Sequence, residues 1–169
     1  MRQAIKTLST IATCAALLAC GTAAAEDLTG PYIGISVEPI TYSDGPETDE
    51  FYFEFIDVQA GFSKVLANDV YIAGEGVYNI NAPSGISEAY GANAKIGRAI
   101  RSNLAIYGIA GVFAVEADDG SDDDGFSYGA GITYAMTDQF QVVSEVSITP
   151  VFANDKISAK LGATYRFDL

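Results

Sequence analysis

The chain has 169 residues, 22 acids against nine lysines and arginines, a net charge of −13 and no histidine. Charge of that sign repels phosphate, so no nucleic-acid partner is expected. The missing histidine removes the commonest general base and transition-metal ligand, while a mean hydropathy of +0.20 requires the acids and the apolar residues to be segregated.

The start, "MRQAIKTLSTIATCAALLACGTAAAED", sets Arg2 and Lys6 before an apolar and small-residue run over 8–25. Three alanines then precede Glu26 and Asp27. That layout reads as a secretory signal cut after Ala25, leaving one domain over 26–169. Two alternatives are an uncut anchor, which the small-residue site argues against, and lipidation at Cys20 within "LLACG". Cleavage removes both cysteines, Cys14 and Cys20, and with them disulfide and thiolate chemistry. It also removes two cations, which takes the charge from −13 to −15. No later stretch reaches the ~18 continuous apolar residues of a transmembrane helix.

Eight segments alternate with the period of a strand. In "PYIGISVEP", Ile33, Ile35 and Val37 oppose Gly34, Ser36 and Glu38. In "FYFEFIDVQAGF", Phe51, Phe53 and Phe55 share a face until Ile56, Val58, Ala60 and Phe62 take over, so a bulge is expected at 55–56. "VYIAGEGVYNI" sets Val70, Ile72, Tyr78 and Ile80 against Tyr71, Glu75 and Asn79; "EAYGANAKIG" sets Tyr90, Ala92, Ala94 and Ile96 against Gly91, Asn93 and Lys95. The fifth, "NLAIYGIAGVFAV", is apolar on both faces, and Tyr107, Ile109 and Phe113 are expected outside. "FSYGAGITYAM" is the cleanest, with Phe126, Tyr128, Ala130, Ile132, Tyr134 and Met136 opposite Ser127, Gly129, Gly131 and Thr133. "FQVVSEVSI" opposes Phe140, Val142, Val146 and Ile148 to Gln141, Glu145 and Ser147. "KLGATYRFDL" opposes Leu161, Ala163, Tyr165, Phe167 and Leu169 to Lys160, Gly162, Thr164, Arg166 and Asp168.

Connections alternate in kind. "SKVLAND", "RAIRSN" and "TDQ" are compact; "SDGPETDE", "NAPSG", "EADDGSDDDG" and "TPVFAND" hold the acids and turn formers. A meander places these two sets at opposite ends, as in outer-membrane barrels with short inner turns and longer outer loops. Aromatics gather near segment ends, Phe62, Phe140, Tyr165 and Phe167 at one and Tyr78, Tyr90, Phe126 and Tyr128 at the other, as membrane interfaces favour. Lipid admits only helices or closed barrels. The expected fold is therefore all-β, an eight-stranded antiparallel up-and-down transmembrane β-barrel with its apolar face outward. Its polar interior would hold a charge network of Glu75, Lys95, Glu145 and Lys160, with Glu145 opposite Lys160 and Glu75 diagonal to Lys95. The competing reading is a soluble, lipocalin-like barrel whose apolar face points inward.

The motifs "KLGATYRF", "FSYGAGITYAMTDQF" and "NLAIYGIAGVF" resemble the small outer-membrane β-barrel family of opacity proteins and the barrel of outer membrane protein A, over about residues 28–169. The resemblance implies an outer-membrane protein of a Gram-negative bacterium, in contact with lipid and lipopolysaccharide, assembled by the barrel-assembly machinery and monomeric. It makes Lys160, Gly162, Tyr165 and Phe167 the assembly signal, although Asp168 and Leu169 follow the terminal-type aromatic. Enzymes of such families use a catalytic histidine, which is absent, so no catalytic residue or cofactor is expected. Structural or surface-interaction roles come first, and a lipocalin-like binder or narrow-channel transporter of small molecules is the alternative. The run of Asp118, Asp119, Asp122, Asp123 and Asp124 lacks EF-hand spacing. It reads as a solvated loop, and at most as a loose divalent-cation site.

Overall fold

The computed structural model describes residues 28–40, 52–81, 86–151 and 154–167. The expected signal segment, the connection "SDGPETDE", residues 82–85 of "NAPSG", and Asp168 with Leu169 lie outside the described residues. Eight strands run β1 Gly30–Ile40, β2 Tyr52–Val65, β3 Val70–Asn79, β4 Ile86–Arg101, β5 Leu104–Ala117, β6 Asp122–Ala135, β7 Phe140–Val151 and β8 Asn154–Arg166. Each pairs antiparallel with the next, and β8 returns to β1, closing the barrel.

Gly30, Ser63, Ala73, Lys95, Ile109, Gly129, Ser147 and Ser158 form one row across the ladders. Continuing the β8–β1 register brings that row back to β1 at Ile40, ten residues above its start. Such a stagger over eight strands tilts them by about 41° and sets a backbone radius of about 8 Å, a lumen that side chains can fill.

Alternation sorts the faces. Phe126 (76% exposed), Ile157 (70%) and Ile96 (67%) cover the outside, whereas Glu75 and Glu145 (5% each) and Lys95 (4%) lie inside. Ile132 and Tyr134 point outward with them, which excludes the soluble barrel with an apolar core. Outward apolar residues run from Ile100 and Met136 at one end to Ile80 and Ile157 at the other. At this tilt the band is about 26 Å tall, close to the apolar belt of outer-membrane barrels.

The inner-end turns are tight. Asn68 and Asp69 both adopt positive φ (62° and 61°), and the Leu66 N–H meets the Val70 carbonyl at 2.7 Å. Thr137 Oγ1 accepts the Phe140 N–H at 3.0 Å, a local side-chain cap for the β6–β7 turn.

The fold corrects three expectations. The β2 irregularity falls one residue early: Glu38 faces Phe55 and Pro39 faces Phe53, so Glu54 is the extra residue. "EADDGSDDDG" is no long loop, because β5 and β6 run through it and leave only 118–121 as a turn; "TPVFAND" is likewise taken up by β7 and β8 except at 152–153. On β5, Tyr107 (3% exposed) and Ile109 (7%) point inward, and Phe113 shares their face, while Ile106 and Val112 face outward. With both faces apolar, alternation alone could not choose. The choice is made by space and a partner: Gly131 on β6 faces the Tyr107 ring, where a Cβ would fall 2.8 Å from Cε2. Glu145 accepts the Tyr107 hydroxyl at 2.8 Å.

Candidate functional site

The interior charges form two clusters, each a lysine between two carboxylates. In the central one, Lys95 Nζ lies 2.7 Å from Glu75 Oε2 and 2.6 Å from Glu145 Oε1, and all three side chains are at most 5% exposed. Tyr32 donates to Glu75 at 2.8 Å and Asn93 at 3.1 Å, so this carboxylate has three donors. Buried charge is tolerated only when paired and hydrogen-bonded in this way. Lys95 also sits 5.3 Å above the Tyr107 ring, which stacks on Tyr71 at 5.4 Å. Glycine makes room for these rings: a Cβ at Gly61 would fall 2.8 Å from Tyr32 Cζ.

The second cluster lies about 7 Å nearer the outer end. Lys160 Nζ is 2.6 Å from Asp57 Oδ2 and 3.7 Å from Glu38 Oε1, and Asn79 donates to Asp57 at 3.0 Å. Glu145 and Lys160 are ladder neighbours, as their sequence positions suggest, yet the Lys160 ammonium reaches over β1 to Asp57 on β2 rather than to Glu145. Glu145 instead reaches Lys95, three strands away round the wall. Glu75 and Lys95 meet diagonally, with Glu75 opposite Asn93 in the ladder. Glu38, on the polar face of the first segment, and Asp57 lie outside the network expected from the sequence. Only strand-to-strand neighbours are visible along a sequence, and these contacts cross the lumen.

Below the clusters an apolar group of Leu28, Tyr71, Ala105, Ile109 and Ala135 fills the inner end. Beside it Arg166 directs Nη2 to the Asp138 carbonyl. Ser36 Oγ, both amide atoms of Gln59, Gln141 Nε2 and Arg166 Nη1 are buried without a hydrogen-bond partner among the described residues.

The five aspartates do not converge. Asp122 and Asp124 are exposed on the outer face of β6, Asp123 takes the alternate face, and Asp118 and Asp119 sit in the turn. Strand alternation splits them, and among the described residues no three carboxylates, histidines or cysteines come together as a metal site. Asp119 accepts the Ser121 hydroxyl at 2.6 Å and its N–H at 2.9 Å, which hold its carboxyl below the ordinary aspartate value. A different acidic feature emerges instead. Glu88 faces Glu116 and Glu116 faces Asp122 across consecutive ladders, on the outside of the barrel just above Tyr90 and Phe126.

A family model described as "Outer membrane protein beta-barrel domain" matches residues 10–167. The chain belongs to this family. No curated protein matches it significantly. Among solved structures, Ail of Yersinia pestis in complex with the heparin analogue sucrose octasulfate aligns at 18% identity and a TM-score of 0.55, over 82% of this chain and 97% of that one. Ail in a phospholipid bilayer nanodisc aligns at 17% identity and 0.50, over 82% and 99%. The N-terminal barrel of Pseudomonas aeruginosa OprF aligns at 13% and 0.49, over 82% and 99%. The protein is thus an outer-membrane β-barrel. In it, Lys160 and Gly162 face the lumen, while Tyr165 and Phe167 lie outside at the inner end, edge-to-face with each other at 5.2 Å and beside Phe140. This aromatic edge closes the seam where the Phe167 N–H meets the Pro31 carbonyl at 2.9 Å.

Proposed function

We propose that the protein is a structural and surface-interaction barrel of a Gram-negative outer membrane, exported by residues 1–25, folded by the barrel-assembly machinery with Lys160, Gly162, Tyr165 and Phe167 as its signal, and monomeric. The observation that carries the interaction is the outward row Glu88–Glu116–Asp122. Like charges directly opposite in a ladder repel. They stand just outside the upper aromatic belt, level with the phosphates of lipopolysaccharide. Divalent cations shared between these carboxylates and those phosphates relieve both repulsions. The same charge disfavours a polyanion such as the sulfated sugar held by Ail. No chemical step is assigned, since the chain has no histidine, and the filled inner lumen supports a plug rather than a wide pore.

In vesicles containing lipopolysaccharide, chelating Mg²⁺ is expected to lower the melting temperature of the wild-type protein. A Glu116→Gln/Asp122→Asn variant should lack that dependence. An identical response of the two proteins would sink the reading.

A further inference from the structure

Leu28 precedes β1 at the inner rim, yet it is 1% exposed. It packs with Tyr71, Ala105 and Ala135, with Ala73 and Ala99 against the same group. Four alanines on β3, β4, β5 and β6 thus leave a socket that one leucine fills. The backbone is tied in place: the Ser63 hydroxyl donates to the Leu28 carbonyl at 2.6 Å, and the Val65 N–H donates to Thr29 Oγ1 at 3.0 Å. Gly30 then turns the chain into β1 at φ +141°, where a Cβ would come within 3.1 Å of the Phe167 carbonyl and 3.3 Å of the Arg166 side chain. Only glycine adopts that backbone readily.

We propose that residues 28–30 form a strap: Leu28 is a stopper in the inner mouth of the lumen, and Gly30 is the hinge on which it swings out to admit water and small solutes. The strap is poised because its two states are opposed in kind. Seating Leu28 removes an aliphatic side chain from water. Opening instead uncovers the Arg166 side chain beside Gly30, 4% exposed with the strap in place, and hydrates a buried cation. A recess of about 360 Å³ lined by Leu28, Val65, Ala99 and Arg101 already opens on the inner side of the stopper.

The only native thiols are Cys14 and Cys20, so a Cys14→Ser/Cys20→Ser background accepts a single reporter. Ala135→Cys places it at a position that is 0% exposed. With Leu28 or Leu28→Met in place, a cationic methanethiosulfonate is expected to label it slowly. Leu28→Ser should accelerate labelling by about tenfold or more through local opening. Folding of each variant is read from heat-shifted gel migration. If Leu28→Ser does not fold, Thr29→Val loosens the strap without touching the socket and should give a smaller acceleration. Equal rates with and without the change, or rapid labelling while Leu28 is seated, overturn the proposal.

Discussion

The inner and outer halves of the lumen are built differently. In the inner half Tyr71, Ala105, Tyr107, Thr133, Ala135, Gln141 and Thr164 are all buried. In the outer half, along β4–β7, the inward positions Asn93, Ser127, Gly129, Ser147 and Thr149 are half-exposed, although Phe113 stands over Gly125 there, and the opposite wall is filled by the Lys160 cluster. The same eight strands therefore make a packed plug at one end and a vestibule at the other. The difference lies in side-chain volume: tyrosines, a leucine and an isoleucine below, glycines and serines above.

If the plug is the stable part, equal chemistry should cost more there. Lys95→Met leaves Glu75 and Glu145 facing each other without their cation, and should destabilise the barrel by about 4 kcal/mol in urea unfolding from lipid vesicles. A loss below 1 kcal/mol would mean that the central charges are effectively solvated. Tyr107→Ala empties the stacked layer and removes a donor to Glu145; about 3 kcal/mol is expected by the same measurement. Lys160→Met removes the matching cation nearer the outer end, where the side chain is 12% exposed against 3% for Lys95. Partial access to water should halve the penalty to about 2 kcal/mol, and an effect equal to that of Lys95→Met would erase the distinction between the two ends. The smallest effect belongs to the outer turn. Ser121→Ala should raise the Asp119 pKa towards its ordinary value, read by NMR titration. A depressed carboxylate pKa contributes stability above the unfolded pKa that is lost as pH falls through the folded one. For so exposed a group, melting curves of the variant and the wild type should coincide across that range.

Particular residues show how far the sequence could be read. Ile33, Ile35, Phe126 and Tyr128 alternate with small or polar partners, and their outward placement was legible because one face of each strand was unambiguous. Tyr107 was not legible, because β5 is apolar on both sides and its inward turn depends on Gly131 and Glu145 from other strands. Glu54 shows the usual difficulty with a bulge: a change of phase reveals the extra residue but not which of its neighbours is left unpaired. The acidic run has the composition of a loop, whereas ladder pairing of β5 with β6 carries it as strand and leaves a turn of only four residues, 118–121.

The number of strands, their alternation and, on strands with one clearly apolar face, the sign of that face were determined by the amino-acid order alone, since a period of two is a local property and lipid rewards one assignment of faces; β5, apolar on both sides, was not among them. Closure decided the rest. Bending the sheet until β8 meets β1 brings β4 across to β7 and β8 over to β2, so the partners of Lys95 and Lys160 are set by the radius and stagger of the barrel, distances that no stretch of neighbouring residues contains.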